Sequence, residues 1–320
     1  METSNQSILL LKSIGPKPVR LAIGNFDGVH VGHRRLISDL VARAEAEGHS
    51  SVVMSFCPHP SQFFGKNSNF KKIDTECIQR RILAELGVTG LLELPFDAIL
   101  AELSADQFLD LLIKNLPLKE IIVGNDFRFG KHRVGHVDLL SQHGRAHGYS
   151  VNVMEKMCVD GVVASSSSVR SLLALDGDVE GAARILGRLF CLQGVVVKGD
   201  QVGRTIGFPT ANIGDIHQLI PKNGVYSGRM KVAQEPSQSS QSEAWLPCVI
   251  NIGVRPTIKL KANEDRRVEA HVYDANGTNL DIYGRGVEVE FMRYLRDEKR
   301  FHGIESLKNQ IAADIAHARS

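Results

Sequence analysis

Through its first 155 residues the chain alternates short β-branched runs with amphipathic helical stretches, and beyond Gly187 that alternation stops. This change of rhythm limits the fold more than any other feature. Apolar spacing predicts strands over 19–24, 51–56, 91–94, 120–124 and 149–154, and helices over 33–47, 75–86, 105–115 and 135–146. Near-continuous apolar strands separated by helices imply a parallel sheet covered on both faces, which takes its ligands at the carboxyl ends of the strands. The polar run 165–168 opens a helix at about 169–175, stopped by Gly177, and a further helix is expected over 179–186. After Gly187, strands are expected over 190–198, 224–232, 246–251, 268–273 and 287–295, closed by one helix over 304–318. Successive strands without crossover helices favour a closed antiparallel barrel. The expected architecture is therefore an α/β doubly wound parallel-sheet domain over 1–186 and an antiparallel β-barrel domain over 187–320. Residues 234–243, poor in apolar side chains, read as a hairpin loop, and no internal repeat is present.

Composition narrows the function. There are 20 basic against 21 acidic residues before Gly187 and 18 against 15 from there on. Neither half has the basic excess of a protein that grips a nucleic-acid backbone. No apolar run approaches the roughly 20 residues needed to cross a bilayer. The first 20 residues hold one four-residue apolar run with no basic residue before it, unlike a signal peptide. Neither nucleic acid nor membrane is expected as a partner, and the oligomeric state is left open. Five widely spaced cysteines with no CxxC pair suggest neither a disulfide framework nor a zinc site, so a cytoplasmic protein is expected.

The segment joining the first strand to the first helix reads GNFDGVHVGH, from Gly24 to His33. Gly24, Gly28 and Gly32 allow positive φ and close approach of a ligand to the backbone. The helix that follows offers unpaired N–H groups and the positive end of its dipole, where phosphate binds. His30 and His33 both reach that point and can donate hydrogen bonds to oxygens that gain charge. The block is neither a P-loop nor a GxGxxG fingerprint. A zinc-binding histidine pair or plain surface histidines are the alternatives.

In the second half, Thr210 and Asn212 share one face if their segment is extended. A hydroxyl and an amide oxygen are hard, neutral ligands suited to Mg²⁺. Gly199, Gly203 and Gly207 would let the preceding loop fold over phosphates that Arg204 could pair with; an ordinary β-turn stopped by Pro209 is the alternative. Residues 268–273 alternate, with Val268, Ala270 and Val272 on one side and Glu269, His271 and Tyr273 on the other.

Taken together, these blocks resemble a known family. GNFDGVHVGH is followed in order by CPHP at 57–60, ELPF at 93–96, VGNDFRFG at 123–130 and the run 165–170. Then come GRTIGFPTAN at 203–212, GVY at 224–226, NIGVRPT at 251–257, VEAH at 268–271 and LRDEKRF at 295–301. This order is similar to that of the bacterial bifunctional riboflavin kinase/FMN adenylyltransferase (FAD synthetase) family, over roughly residues 18–319. Departures are Ser167 at a usual Thr position, Ser168 where Arg is frequent, and His136 where Asp is common.

The resemblance implies phosphorylation of riboflavin by ATP to give FMN, then transfer of AMP from ATP to FMN, giving FAD and pyrophosphate. It implies that His30 and His33 meet the phosphates of ATP, with Gly24, Asn25, Phe26, Asp27 and Gly28 shaping the loop. Asp126 would stand near the nucleotide, unless it is only a loop or cap residue, and Ser166, Ser167 and Arg170 would form a second phosphate clamp. In the kinase half, Gly199, Gly203, Arg204 and Gly207 would bind ATP, with Thr210 and Asn212 on Mg²⁺. Glu269 would stand inside the barrel as general base. A carboxylate of pKa ~4.3 is a weak base, so proton transfer would come late, as the phosphoryl group moves. Arg296 and Phe301 would border the flavin; a surface ion pair and a core aromatic are the plainer readings. Two competing functions remain, a transferase acting on another phosphorylated acceptor such as a pantetheine or choline phosphate, and a flavin-binding regulator with one dead site. The attached kinase half argues against the first, and retention of Glu269 with both histidines argues against the second.

Overall fold

The computed structural model describes residues 16–65, 70–199, 206–233, 244–254, 266–273 and 282–320. They fall into two compact units, one running to Phe70 and resuming over Glu76–Ala164, the other made of Lys71–Thr75 and Ser165–Ser320. Among the described residues no helix is long and apolar enough to cross a membrane.

In the first unit, β1 (Val19–Ile23) is buried at every position. A central strand with helices on both faces has no solvent side, hence its apolar sequence. Around it, β2 (Ser50–Cys57), β3 (Gly90–Pro95), β4 (Leu118–Gly124) and β5 (Ser150–Met154) form a parallel sheet of order β3-β2-β1-β4-β5. Chain order reverses between β1 and β4, so a crevice opens beyond their carboxyl ends at Gly24 and Gly124. The main covering helices are α1 (Val31–Glu47), α3 (Glu76–Glu85), α5 (Ala105–Asn115) and α6 (Val137–His147). Two short helices, α2 (Pro60–Phe63) and α4 (Ala98–Glu102), and a small hairpin of β6 (Cys158–Val159) and β7 (Val162–Val163), are too brief to leave a periodicity in the sequence. Helix α1 starts two residues before the expected position because the His30 side chain caps it, and it ends at Gly48 in the left-handed region at φ 67°.

In the second unit, α7 (Ser166–Ser171) also starts earlier than expected, because the Ser165 hydroxyl accepts from the Ser168 N–H at 3.1 Å. It passes through a π-turn to Gly177 and is followed by α8 (Val179–Leu186). Six antiparallel strands then close a barrel in the order β10-β11-β12-β9-β8-β13. They are β8 (Phe190–Val197), β9 (Ala211–Gly214), β10 (Gly224–Val232), β11 (Leu246–Val254), β12 (Arg266–Val272) and β13 (Gly286–Arg296). The last helix, α9 (Ile304–Arg319), packs on β10, β11 and β13. Side chains of one parity fill the barrel, including the mutually packed rings of Phe190, Phe291 and Tyr226, while Arg229, Lys231, Glu288 and Glu290 of the other parity pair outside. The expected loop at 234–243 lies outside the described residues.

Lys71–Thr75 is built into the second unit by its own hydrogen bonds. The Leu219 N–H donates to the Lys72 carbonyl at 2.7 Å, the Gln218 amide donates to the Ile73 carbonyl at 2.9 Å, and Ile73 is fully buried. Next to it, Arg188 Nη2 donates to both Asp74 carboxylate oxygens at 2.6 Å, with the Asp74 side chain only 1% exposed. Removing one partner of a buried pair strands the other charge, so Asp74→Ala should destabilise this unit by about 3–5 kcal/mol. Chemical denaturation followed through the unit's single Trp245 checks this; a loss below about 1 kcal/mol would show the pair to be solvated rather than structural.

Candidate functional site

Two sites emerge, one in each unit. In the first, the loop from β1 to α1 holds an unusual backbone: Phe26 and Val29 have φ of 49° and 36°, and Gly28 has 83°. Strain of this kind persists only where surroundings impose it. Here the imposing group is Gln79 of α3, almost fully buried, whose amide donates to the carbonyls of Asn25 at 3.0 Å and Phe26 at 3.2 Å. A Cβ on Gly24 would lie 3.1 Å from the Phe26 ring, and one on Gly32 would lie 3.1 Å from the His30 ring. A side chain at either position would have to displace that ring by a few tenths of an ångström.

The rings of His30 and His33 stack at 3.7 Å, with Phe26 edge-on to His33 at 5.1 Å. His30 Nδ1 accepts the His33 N–H at 3.4 Å, so the neutral ring carries its proton on Nε2. His33 Nδ1 is buried with no hydrogen-bond partner among the described residues. The first turn of α1 carries no acidic residue, leaving the helix dipole and the N–H groups ahead of His33 for an anion. Burial pushes the His30 imidazole down to about 4 against the pull of Asp27 and Asp126, and burial with the neighbouring His30 pushes His33 well below the ordinary range. Both rings are neutral donors at neutral pH. Asp126, at the end of β4, pairs with Lys156 at 3.0 Å and is close enough to act on His30. The structure thus gathers Gly24, Asn25, Phe26, Asp27, Gly28, His30, His33 and Asp126 at one crevice. Among the described residues no third His, Cys, Asp or Glu joins the histidine pair in an arrangement able to hold a metal ion.

A pH dependence follows from these histidines. An unfolded imidazole takes its proton near 6.5, whereas folded His30 takes it only near 4. Between those values the unfolded chain binds more protons, so stability is full above about 6.5 and is lost as pH falls toward 4. The slope approaches ~1.4 kcal/mol per pH unit for each such imidazole. Urea midpoints of the parent and of His30→Asn/His33→Asn at pH 7, 6 and 5 test this; equal slopes would show that these imidazoles do not carry the effect.

Ser166, Ser167 and Arg170 are described with the second unit. Ser166 and Ser167 form the first turn of α7, and Arg170 Nη1 donates to the Lys71 carbonyl at 2.5 Å.

The second site is a cavity of about 310 Å³ between the barrel wall and α9. Its floor is a row of directly paired residues running across five strands: Asn212 on β9, Glu269 on β12, Asn251 on β11, Val225 on β10 and Arg296 on β13. All five line the cavity, and cross-strand pairs of this kind hold their Cβ atoms ~4.5–5.5 Å apart. The expectation that Glu269 stands inside the barrel is therefore not met. The interior is filled by the apolar parity, Val268 and Ala270 included, and Glu269 takes the outward face, where α9 supplies the second wall.

Thr210 and Asn212 also line this cavity, and their side chains make no hydrogen bond to any described residue. His271 Nδ1 lies 2.8 Å from the Pro209 carbonyl and must donate to it, which fixes the turn leading into Thr210; Phe208 packs edge-on against the same ring at 5.4 Å. A Cβ on Gly199 would fall 2.2 Å from the Asn212 amide, so a larger residue there would push that carboxamide aside. Gly207 adopts φ 88°, while Gly203 and Arg204 lie outside the described residues. Arg296 is already engaged: its Nε and Nη2 grip both oxygens of buried Asp314 on α9 at 2.8 and 2.7 Å, with Phe301 5.9 Å beneath the guanidinium. Arg296 and Phe301 do line the cavity, with Arg296 holding the roof in place.

Sequence reading missed Gln79, Asn251, His271 as the anchor of Pro209, and Asp314. Asn251 left a trace as a polar residue inside the apolar strand VINIGV, and His271 as a neighbour of Glu269 on the polar face of 268–273. Gln79 and Asp314 look like ordinary helix residues until their partners are known.

Comparison with known proteins assigns residues 14–168 to the family model described as FAD synthetase and residues 186–320 to that described as riboflavin kinase. The chain is 39% identical to the bifunctional riboflavin kinase/FMN adenylyltransferase of Escherichia coli K12, across 93% of this chain and 91% of that protein. It is 34% identical to that of Bacillus subtilis, across 97% and 94%. Among solved structures, one described as a macrolide-efflux protein from Streptococcus pneumoniae superposes with a TM-score of 0.84 at 27% identity, covering 96% of this chain and 95% of that one.

Proposed function

Because this chain belongs to the bifunctional riboflavin kinase/FMN adenylyltransferase family, and so makes FMN from riboflavin and ATP and then FAD from FMN and a second ATP, we propose that each of the two sites carries one of these reactions. Adenylylation is assigned to residues 1–186 and phosphorylation to 187–320. The observation that carries the kinase half is the paired row Asn212–Glu269–Asn251 in the wall of a cavity roofed by α9.

In the adenylylation site, a phosphate oxygen of FMN attacks the α-phosphorus of ATP and pyrophosphate leaves. Such a displacement needs alignment and charge stabilisation rather than a protein nucleophile. His30 Nε2–H, the His33 ring and the first N–H groups of α1 supply donors that require no proton to be taken up first. Gly24, Asn25, Phe26, Asp27 and Gly28 shape the loop, and Asp126 borders it. Ser166, Ser167 and Arg170 join the assignment as a phosphate clamp on the strength of the family resemblance. Beyond β2 and β3, the rings of Phe63, Phe64 and Phe96 pack together with Phe64 56% exposed, a platform suited to a planar isoalloxazine.

In the kinase site, Glu269 accepts the proton of the ribityl 5′-hydroxyl as that oxygen bonds to the γ-phosphorus and ADP departs. Thr210 and Asn212 fit Mg²⁺: both offer hard neutral oxygens, both line the cavity, and neither side chain is hydrogen-bonded to a described residue. Bound there, the ion would offset phosphate charge. Gly199, Gly203, Arg204 and Gly207 are assigned to the ATP phosphates, and Arg296 with Phe301 to the flavin border. All five cysteines are free, which supports a reducing compartment, taken here as the cytoplasm. The test is a product profile, in which riboflavin, ATP and Mg²⁺ are incubated with the purified protein and flavins are separated by chromatography. FMN followed by FAD is expected, and absence of both would overturn the reading.

A further inference from the structure

The row across the barrel has a direction. On one side of Glu269 stands Asn212, beside Thr210 and the phosphate loop; on the other stands Asn251, then Val225, then Arg296 with Phe301. If the 5′-hydroxyl meets Glu269 and phosphate lies toward Asn212, the rest of the acceptor runs toward Asn251. Neighbouring strands are ~4.8 Å apart, a step that a hydroxyl one or two carbons along a polyol chain spans. Asn251 lines the cavity, and its carboxamide makes no hydrogen bond to any described residue. A half-buried polar side chain that lines a cavity and has no partner among the described residues is placed to meet a ligand's polar group. A carboxamide offers one acceptor and two donors, matching a secondary hydroxyl that both gives and takes a hydrogen bond.

We propose that Asn251 reads a secondary hydroxyl of the ribityl chain and thereby sets the 5′-hydroxyl against Glu269. This rests on the kinase reading of the cavity. Asn251 is then the residue that makes the site prefer a polyol over a plain alkyl alcohol, because an acceptor lacking that hydroxyl covers the carboxamide without pairing it.

The experiment compares two acceptors in the full-length protein: riboflavin, and an isoalloxazine bearing a 5-hydroxypentyl chain, which keeps the primary hydroxyl and lacks the secondary ones. Asn251→Ala should lower kcat/KM for riboflavin ~10–100-fold and for the hydroxypentyl flavin less than about threefold, collapsing the preference of the parent. Equal loss on both acceptors, or loss on neither, overturns the proposal. A parent that phosphorylates neither acceptor would instead sink the kinase reading itself. Asn251→Asp supplies a second readout, since a carboxylate paired with Glu269 disfavours ionisation of either. The acid limb of kcat for riboflavin should move up by about one pH unit, and an unmoved limb would count against Asn251 standing beside the reacting group.

Discussion

Glu269→Gln supplied with riboflavin should accumulate neither FMN nor FAD, yet supplied with FMN it should make FAD at close to the parental rate. Glutamine nearly preserves the size and reach of the side chain, so the row Asn212–Glu269–Asn251 and the cavity floor stay as they are. What is lost is the ability to accept the hydroxyl proton at neutral pH, and loss of a general base costs ~10²–10⁴ in rate. The other reaction is spared because His30 and His33 belong to the first unit and Glu269 to the second. Nucleotide binding to the barrel should also persist, since Thr210, Asn212 and the glycine at 199 are untouched. The deciding measurement is riboflavin consumption by mutant and parent at saturating substrates. A loss smaller than about tenfold would reduce Glu269 to a positioning residue, and the base would have to be sought elsewhere in the cavity wall.

The mirror-image result is expected for His30→Ala and His33→Ala, which should cut FAD formation from FMN by ~10²–10³ each while riboflavin phosphorylation stays near the parental rate. The stacked pair, its neutral state and a first turn of α1 without an acidic side chain make each ring a preorganised donor. Truncation removes one donor and opens room for water. The effects of the two should be less than additive, because the His33 N–H is held by His30 Nδ1 and the rings pack on each other. His30→Asn separates chemistry from packing, since it retains a donor on a shorter side chain. Rates are followed as pyrophosphate release with FMN as acceptor. Equal losses in both activities with the fold intact by circular dichroism would point to a single shared ATP site and defeat the division between the two units.

Much of this was legible before any coordinates. Strand–helix alternation up to residue 155 and successive strands after Gly187 announced a parallel sheet and a barrel, because the periods of helix and strand are properties of the local chain. In the β1–α1 block the histidines stand where the helix opens, and of the three glycines expected to allow positive φ, Gly28 adopts it at 83° while Gly24 and Gly32 do not. Alternation in 268–273 likewise separated Glu269 and His271 from Val268 and Ala270 correctly. It could not say which set faces inward. That depended on Phe190, Tyr226 and Phe291, distant in sequence, filling the barrel and leaving the outer wall to the charged and polar parity. The pairing of Asn251 with Glu269, the engagement of Arg296 by Asp314, the grip of Gln79 on the loop and the residence of Lys71–Thr75 in the second unit are of the same kind. A period tells a residue which neighbours share its face. Only closure of the sheet and packing of the helices decide what that face meets.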